Sequence, residues 1–426
     1  MALALEGIKV IDVSQVAAVP MCARHLADFG ADVIHVENPV TGDSWRVFQA
    51  SQAEAKAAAP SSINYNWETY NRNKRGITLD LSQEAGRKVM YRLVEQADVF
   101  VTNLRPYEME RFRLTYATLK EINPRLVYGS VSGYGKTGPD RELPAYDVTG
   151  YWVRTGIPSA FSIPGVPSTG YRPAFGDNLV ALSLALGVMI ALFVRERTGL
   201  GQEVDTSLFH NGMYQLSFDI NGALASGLDF DDWRETPPED VVQQSLMAVM
   251  QVGLFYAARA QNPLAAAYFT KDSRRVFFLS LQPDRYWRKF CLAIGRQDLA
   301  DDPRYQTTEG RAEHNIALRQ TIGETFLTKT YAEWVPLLEG LPYAPSQTVK
   351  EAVNDPQAEV SGCFVEYEHP AYGKLKTLAN PINLSDTPAA VRLPAPEWGQ
   401  HTEEVLLEFG YDWDDIIALK EKGVIA

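Results

Sequence analysis

Asp177 stands almost directly before sixteen mostly apolar residues, Leu179 to Val194, that end at Arg195-Glu196-Arg197. A carboxylate at such a junction can cap a helix or attack an electrophile, and Asp177 is read as doing both. The unpaired N–H groups and positive dipole end of a helix start would keep it ionised at neutral pH. The run is shorter than the roughly 20 residues needed to cross a bilayer. Ser183 and Gly187 also interrupt it, so a buried core helix is expected.

Other motifs carry less chemistry. Gly133-Tyr134-Gly135-Lys136-Thr137-Gly138 formally matches a dinucleotide fingerprint, yet Pro139 and Pro144 bracket the segment that should open a helix. It is also one glycine short of a phosphate loop, since Ser130 stands where the first glycine is required. Lys136 on this turn remains available to a ligand. The turn after the first strand, Ser14 to Pro20, has no glycine, which keeps a pyrophosphate from the close approach of a dehydrogenase. The six histidines show no metal-ligand spacing, so no metal is expected. No serine lies in a G-x-S-x-G elbow.

The elements around these residues alternate. Ile8–Val13 reads as a strand, Met21–Phe29 as a helix and Ala31–Glu37 as a strand; helix, strand, helix and strand then follow at 83–96, 97–102, 116–122 and 126–131. Strand–helix–strand repetition predicts a parallel, doubly wound α/β sheet. Ala53–Ala59, before Pro60, reads as a surface insertion. A strand near 277–281 and a helix at 286–294 suggest a smaller α+β unit, and an amphipathic helix at 402–409 closes the chain. The expected division is a large domain from 1–205, a small domain at 225–335, and a return to the large domain over 345–426.

With 426 residues and 46% hydrophobic content, the chain can bury a large core. Its net charge of −13 argues against nucleic acid or an anionic membrane as main partner. Three widely spaced cysteines, Cys22, Cys291 and Cys363, read as packing residues in a reducing compartment, and the N-terminus lacks a secretory pattern. A cytoplasmic protein is the expectation.

Taken in order, residues 5–12, 26–37, Asn71–Arg75, Asn123–Val127, Gly133–Gly135, Gly176-Asp177, Thr198–Gln202 and Gly399–Leu406 resemble the class III coenzyme A transferases over nearly the whole chain. The resemblance implies a large Rossmann-like domain built from both chain ends, a smaller domain, and two subunits interlocked in a dimer, formed by two copies or with a related chain. It implies a CoA-transferase that needs no permanently bound cofactor and takes acyl-CoA and small carboxylic acids as substrates. By position, Asp177 matches the catalytic aspartate, which carries CoA as an aspartyl thioester. The segments holding Arg72, Asn73, Lys74 and Arg75, and Asn103 and Arg105, correspond to CoA-contacting regions. Val16, Ala17 and Tyr146 fall at substrate-facing positions.

Two departures bear on specificity. Formyl-CoA transferases carry a glutamine at the position of Ala17, and a glycine run where this chain has Asn262-Pro263-Leu264 and Ala265–Tyr268. An apolar Ala17, with Tyr151, Trp152 and Phe161 upstream of Asp177, points away from oxalate to a bulkier, aromatic acid. Similarity to benzylsuccinate-type transferases suggests succinyl-CoA as donor. The alternatives are an acyl-CoA racemase, whose histidine is replaced here by Tyr146, and a partner subunit of a hetero-oligomeric transferase.

Overall fold

A computed structural model of the chain describes residues 3–47, 63–161, 171–226 and 262–426. They form two compact units, one from the two ends of the chain and one whose described residues are 262–358. The alanine-rich segment read as an insertion lies outside the described residues.

The first unit holds six parallel strands: β1 (Lys9–Val13), β2 (Asp32–Glu37), β3 (Lys74–Thr78), β4 (Val99–Thr102), β5 (Val127–Ser132) and β6 (Glu203–Ser207). Their order is β3-β2-β1-β4-β5-β6. Alternation along each strand feeds two cores, as both faces of a parallel sheet must be covered. Val10, Val33, Val99, Val101 and Val127 pack on one face with helices α1 (Ala18–Asp28) and α6 (Phe175–Thr198). Ile11, Ile34, Ile77 and Phe100 pack on the other with α3 (Glu84–Glu95) and the C-terminal helices Thr402–Glu408 and Trp413–Glu421. Between these lie α2 (Tyr65–Asn71), α4 (Pro106–Phe112) and α5 (Tyr116–Ile122); α7 (Leu208–Gln215) follows β6.

The C-terminal segment is sewn to β3. His401 N–H donates to Gly76 O at 2.9 Å, Gly76 N–H to His401 Nδ1 at 3.1 Å, and Asp80 N–H to Val424 O at 2.8 Å. The second unit carries an antiparallel sheet of Ala265–Phe269, Arg275–Leu279 and Tyr343–Pro345, with helices Pro283–Ala293 and Asn315–Phe326 around a core that includes Phe278, Trp287 and Phe326. Ala265–Phe269, read from sequence at the position of a glycine run in formyl-CoA transferases, forms a strand.

Helix α6 is longer than its apolar run, at 24 residues, and by length and composition alone it could cross a membrane. Its buried stripe, Val180, Ala181, Leu184, Ala185, Val188 and Leu192, follows helical periodicity toward the sheet. Buried Arg195, paired with Asp98 at 3.0 Å, ends that stripe. Leu186, Ile190 and Phe193 lie on the exposed side. Cys22 and Cys291 are buried as expected, whereas Cys363 is exposed.

Candidate active site

The strand order reverses between β1 and β4, and ligands in open α/β sheets bind beyond the carboxyl ends of strands at such a switch point. A cavity of about 500 Å³ lies there. Its walls include the loop after β1 (Gln15, Val16, Ala17), the loop after β4 (Asn103, Leu104, Arg105), the end of β5, Tyr146, Asp147 and Asp177.

Each wall is held locally. Asn103 braces the β1 loop from both sides, accepting from Gln15 N–H at 3.0 Å and donating to Gln15 O at 2.7 Å. Val16 has φ of +70°, an uncommon conformation for a β-branched residue. Its N–H donates to the Asp43 carboxylate at 3.1 and 3.2 Å, which fixes that conformation and turns Val16 and Ala17 along the cavity wall.

Asp177 is the third residue of α6, where the dipole favours an anion. The capping residue is a different one. Ala174 occupies the N-cap position with φ of +58° and no side-chain acceptor, and Asp147 supplies what is missing: its Oδ1 accepts the Gly176 N–H at 3.1 Å. Asp147 opens a π-helical turn, Asp147–Val153, after an extended Tyr146. Gly176 permits the approach, since a Cβ there would lie 2.3 Å from Tyr151 Cγ and 2.4 Å from Asp147 Oδ1.

The expectation that Asp177 is simply ionised is corrected. Burial, with the Asp147 charge second, pushes its carboxyl up to about 7. Burial also pushes Asp147 up to about 6, against the lowering effect of the Gly176 and Phe175 N–H groups. Among the described residues neither carboxylate has a cationic partner within ion-pair distance.

The other anticipated residues divide. Val16, Ala17, Tyr146, Asn103 and Arg105 line the cavity with Asp177. Arg72, Asn73, Lys74 and Arg75 do not, and the reading of a phosphate-facing basic cluster is corrected by their burial and partners. Lys74 and Arg75 begin β3, an edge strand that the charged composition concealed. Lys74 Nζ donates to Asp12 Oδ2 at 2.9 Å and Asn71 Oδ1 at 2.8 Å, wholly out of solvent. Arg72 and Asn73 converge on Asp28, at 2.9 and 2.8 Å. Arg75 pairs with Asp32 at 2.7 Å and with Glu408 at 2.8 Å. Lys136 pairs with Glu203 and lines a separate cavity of about 230 Å³, and no helix follows Gly138, which agrees with setting the dinucleotide motif aside.

Tyr151, Trp152 and Phe161 do not line the cavity either. Tyr151 packs beneath Gly176, Trp152 lies against Phe175 with ring centroids 5.4 Å apart, and Phe161 is exposed. Asp147 and Arg141 were missed from sequence. Asp147 was visible only as the neighbour of Tyr146, and Arg141 as a charge in a proline-bracketed loop.

The model of CoA-transferase family III matches residues 5–402. This chain belongs to that family. The transferase is 31% identical over 424 residues to an (R)-2-hydroxy-4-methylpentanoate CoA-transferase of Clostridioides difficile, covering 99% of both chains. It is 30% identical to a cinnamoyl-CoA:phenyllactate CoA-transferase of Clostridium sporogenes, covering 99% of this chain and 97% of that one. A formyl-CoA:oxalate CoA-transferase of Rhodopseudomonas palustris is 31% identical over the same shares, 99% and 97%. Among solved structures, the transferase resembles a CAIB/BAIF family protein from Brucella suis with a TM-score of 0.76, 26% identity, and coverage of 96% of this chain and 100% of that one.

Proposed function

We propose that this transferase moves CoA from an acyl-CoA donor to an organic acid through a thioester on Asp177. The observation that carries the reading is a half-buried carboxylate with no cationic partner among the described residues, at the start of α6 and facing a cavity of about 500 Å³. Ionised Asp177 attacks the acyl carbon, the electron pair moves to the thioester oxygen, and collapse expels the CoA thiolate to leave a mixed anhydride. The thiolate then attacks the aspartyl carbonyl and releases the donor's carboxylate. An acceptor carboxylate repeats the sequence in reverse and leaves as its CoA thioester. The α6 dipole favours each oxyanion formed at this carbon.

Arg105 and Arg141 are the cations of the cavity wall, and we assign them to the CoA phosphates. Val16, Ala17, Ala18, Val131, Leu143 and Leu208 supply an apolar part of a wall that is polar at Gln15, Ser44, Asn103, Glu108 and Ser132. Together with relatives named for phenyllactate and a branched hydroxy acid, this supports a bulky or aromatic acceptor over oxalate. Succinyl-CoA is the donor we would offer first. None of the cavity-lining residues is a histidine, which favours transfer over α-proton exchange.

The test is to incubate the purified chain with succinyl-CoA and a panel of aromatic, branched and short dicarboxylic acids, and to measure the new acyl-CoA esters by mass spectrometry. Transfer to aromatic or branched acids above oxalate is expected; products from oxalate alone would overturn the specificity. A single chain that transfers unaided excludes the partner-subunit alternative. The exposed apolar side of α6 supports the interlocked dimer, for which light scattering should give twice 47.5 kDa.

A further inference from the structure

Of the three residues that lead into α1, Ala17 and Ala18 are 1% and 5% exposed, whereas Val16 is half-buried; all three line the cavity. Helix α1 leaves the carboxyl end of β1 and α6 runs toward the amino end of β6, so on a parallel sheet both helices begin at the same end. They pack together over the Val10 face. Neighbouring helices lie about 8–10 Å apart, which leaves an acyl group between the two starts flanked by Asp177 on one side and Val16 on the other.

Valine does not choose this shape for itself. A φ of +70° is disfavoured for a residue branched at Cβ, so something outside Val16 must hold it. The holder is Asp43, whose two carboxylate oxygens receive the Val16 N–H at 3.2 and 3.1 Å. Asp43 is 3% exposed, and its nearest cationic candidate among the described residues is His35 Nε2, 4.0 Å away. Its Oδ1 also accepts the Trp45 N–H at 2.8 Å, and its own N–H donates to Glu37 Oε1 at 2.9 Å. Glu37 is in turn paired with Arg46 at 2.6 Å. Burying a carboxylate is costly unless its oxygens are used, and those of Asp43 are used on two backbone donors, one of them in the cavity wall.

We propose that Asp43 is a positioning residue for acid selection: by clamping the Val16 N–H it keeps the Val16 isopropyl group against the acyl end of the cavity, where that group limits the width of the acid accepted. This inference rests on the reading of Asp177 as the CoA carrier. Asp43 touches no substrate. It acts through Val16, and the strain at Val16 is what makes the clamp necessary: released from Asp43, the loop would relax to an ordinary φ and carry the isopropyl group to another place on the wall.

The test uses two acceptor acids that differ only in width, a naphthyl acid and its phenyl counterpart, with one acyl-CoA donor. The ratio of their kcat/KM values is read, because a ratio does not depend on how much of the enzyme is folded. Val16→Gly removes the isopropyl group at a position whose φ glycine adopts freely, and should raise the ratio roughly tenfold, as a few methyl groups in a pocket can. Asp43→Ala should shift the ratio severalfold. Asp43→Asn should restore it, since an amide Oδ1 still reaches the Val16 and Trp45 N–H groups. In the Val16→Gly background, Asp43→Ala should leave the ratio where Val16→Gly put it, because glycine needs no clamp. An Asp43 that only supports the fold would lower the denaturation midpoint in both backgrounds and move the ratio in neither. An unmoved ratio in Val16→Gly or in Asp43→Ala would overturn the proposal. Should Asp43→Ala not fold, hydrogen exchange at the Val16 amide of the wild type decides: protection like that of β1 supports the clamp, and exchange at the rate of a free loop amide refutes it. Failure of the underlying reading looks different, because wild type would then form no adduct at Asp177 with any acyl-CoA, whereas a wild type that forms adduct beside an unmoved ratio removes the Asp43 clamp alone.

Discussion

Two groups of buried or half-buried carboxylates lie in the same unit and have opposite characters. Behind the β1 loop, Asp12 receives Lys74 Nζ and His35 Nδ1, each at 2.9 Å. Burial alone would raise its carboxyl, but Lys74 and then His35 outweigh it and hold it well below the usual carboxylate range. Asp28 is likewise met by Arg24 and Arg72, at 2.7 and 2.9 Å. At the cavity, Asp147 and Asp177 are desolvated without such partners, and both are pushed up. The same side chain is held as an anion where cations satisfy it and keeps its proton to higher pH where the fold withholds them. Cation supply, more than burial, separates the scaffold from the site.

The comparison breaks most sharply at Asp177. Asp177→Ala should lower transfer on the order of 10³-fold or more while leaving the denaturation midpoint at or above that of wild type. A steady-state assay beside a denaturation curve checks both halves. Gly176→Ala places a methyl group against Tyr151 and Asp147. Displacing the start of α6 by even a fraction of the gap should reduce kcat on the order of 10²-fold, with the secondary structure seen by circular dichroism retained.

The scaffold group should respond in stability instead. Lys74→Met leaves Asp12 buried against an apolar chain and should cost about 3–5 kcal/mol, read as a lower denaturant midpoint, before any effect on intrinsic chemistry is seen. The pH dependences also run in opposite directions. Asp12, with a depressed folded value, stabilises above the unfolded carboxylate pKa of about 3.9, and that contribution fades as pH falls through its folded value. Asp177, with a raised folded value, stabilises fully below about 3.9, and its contribution is lost as pH rises through about 7. Asp177→Asn should therefore raise stability at pH 8 by about 1–2 kcal/mol and not at pH 4, measured by urea titration at the two pH values. The smallest effect is expected at the cavity wall, where Arg141→Ala should raise KM for acyl-CoA roughly tenfold and leave kcat nearly unchanged.

Much of this was legible in the sequence. Apolar alternation at Lys9–Val13, Asp32–Glu37 and Val127–Ser132 marked the central strands, and the apolar run after Asp177 marked α6. β3 was concealed because Lys74 and Arg75 look like a solvated basic patch; their carboxylate partners, Asp12, Asp32 and Glu408, are distant in sequence, and only the fold brings them together. Asp177 could be singled out because the long apolar run follows it. Its elevated proton affinity could not be read, since that depends first on its burial in the fold and then on Asp147 arriving across a 29-residue separation. Tyr151 and Trp152 show the converse failure: aromatic residues upstream of the nucleophile pack against Gly176 and Phe175 at the start of α6 instead of lining the cavity.

The central claim is that Asp177 itself becomes the CoA carrier, and intact-protein mass spectrometry tests it most directly. Wild type and Asp177→Ala would be incubated with acyl-CoA and then treated with hydroxylamine or borohydride. A CoA-sized adduct on the wild type, converted by the trap to a modification at Asp177 and absent from the variant, is the predicted result. Transfer activity without any adduct, or an adduct that survives in Asp177→Ala, would contradict it.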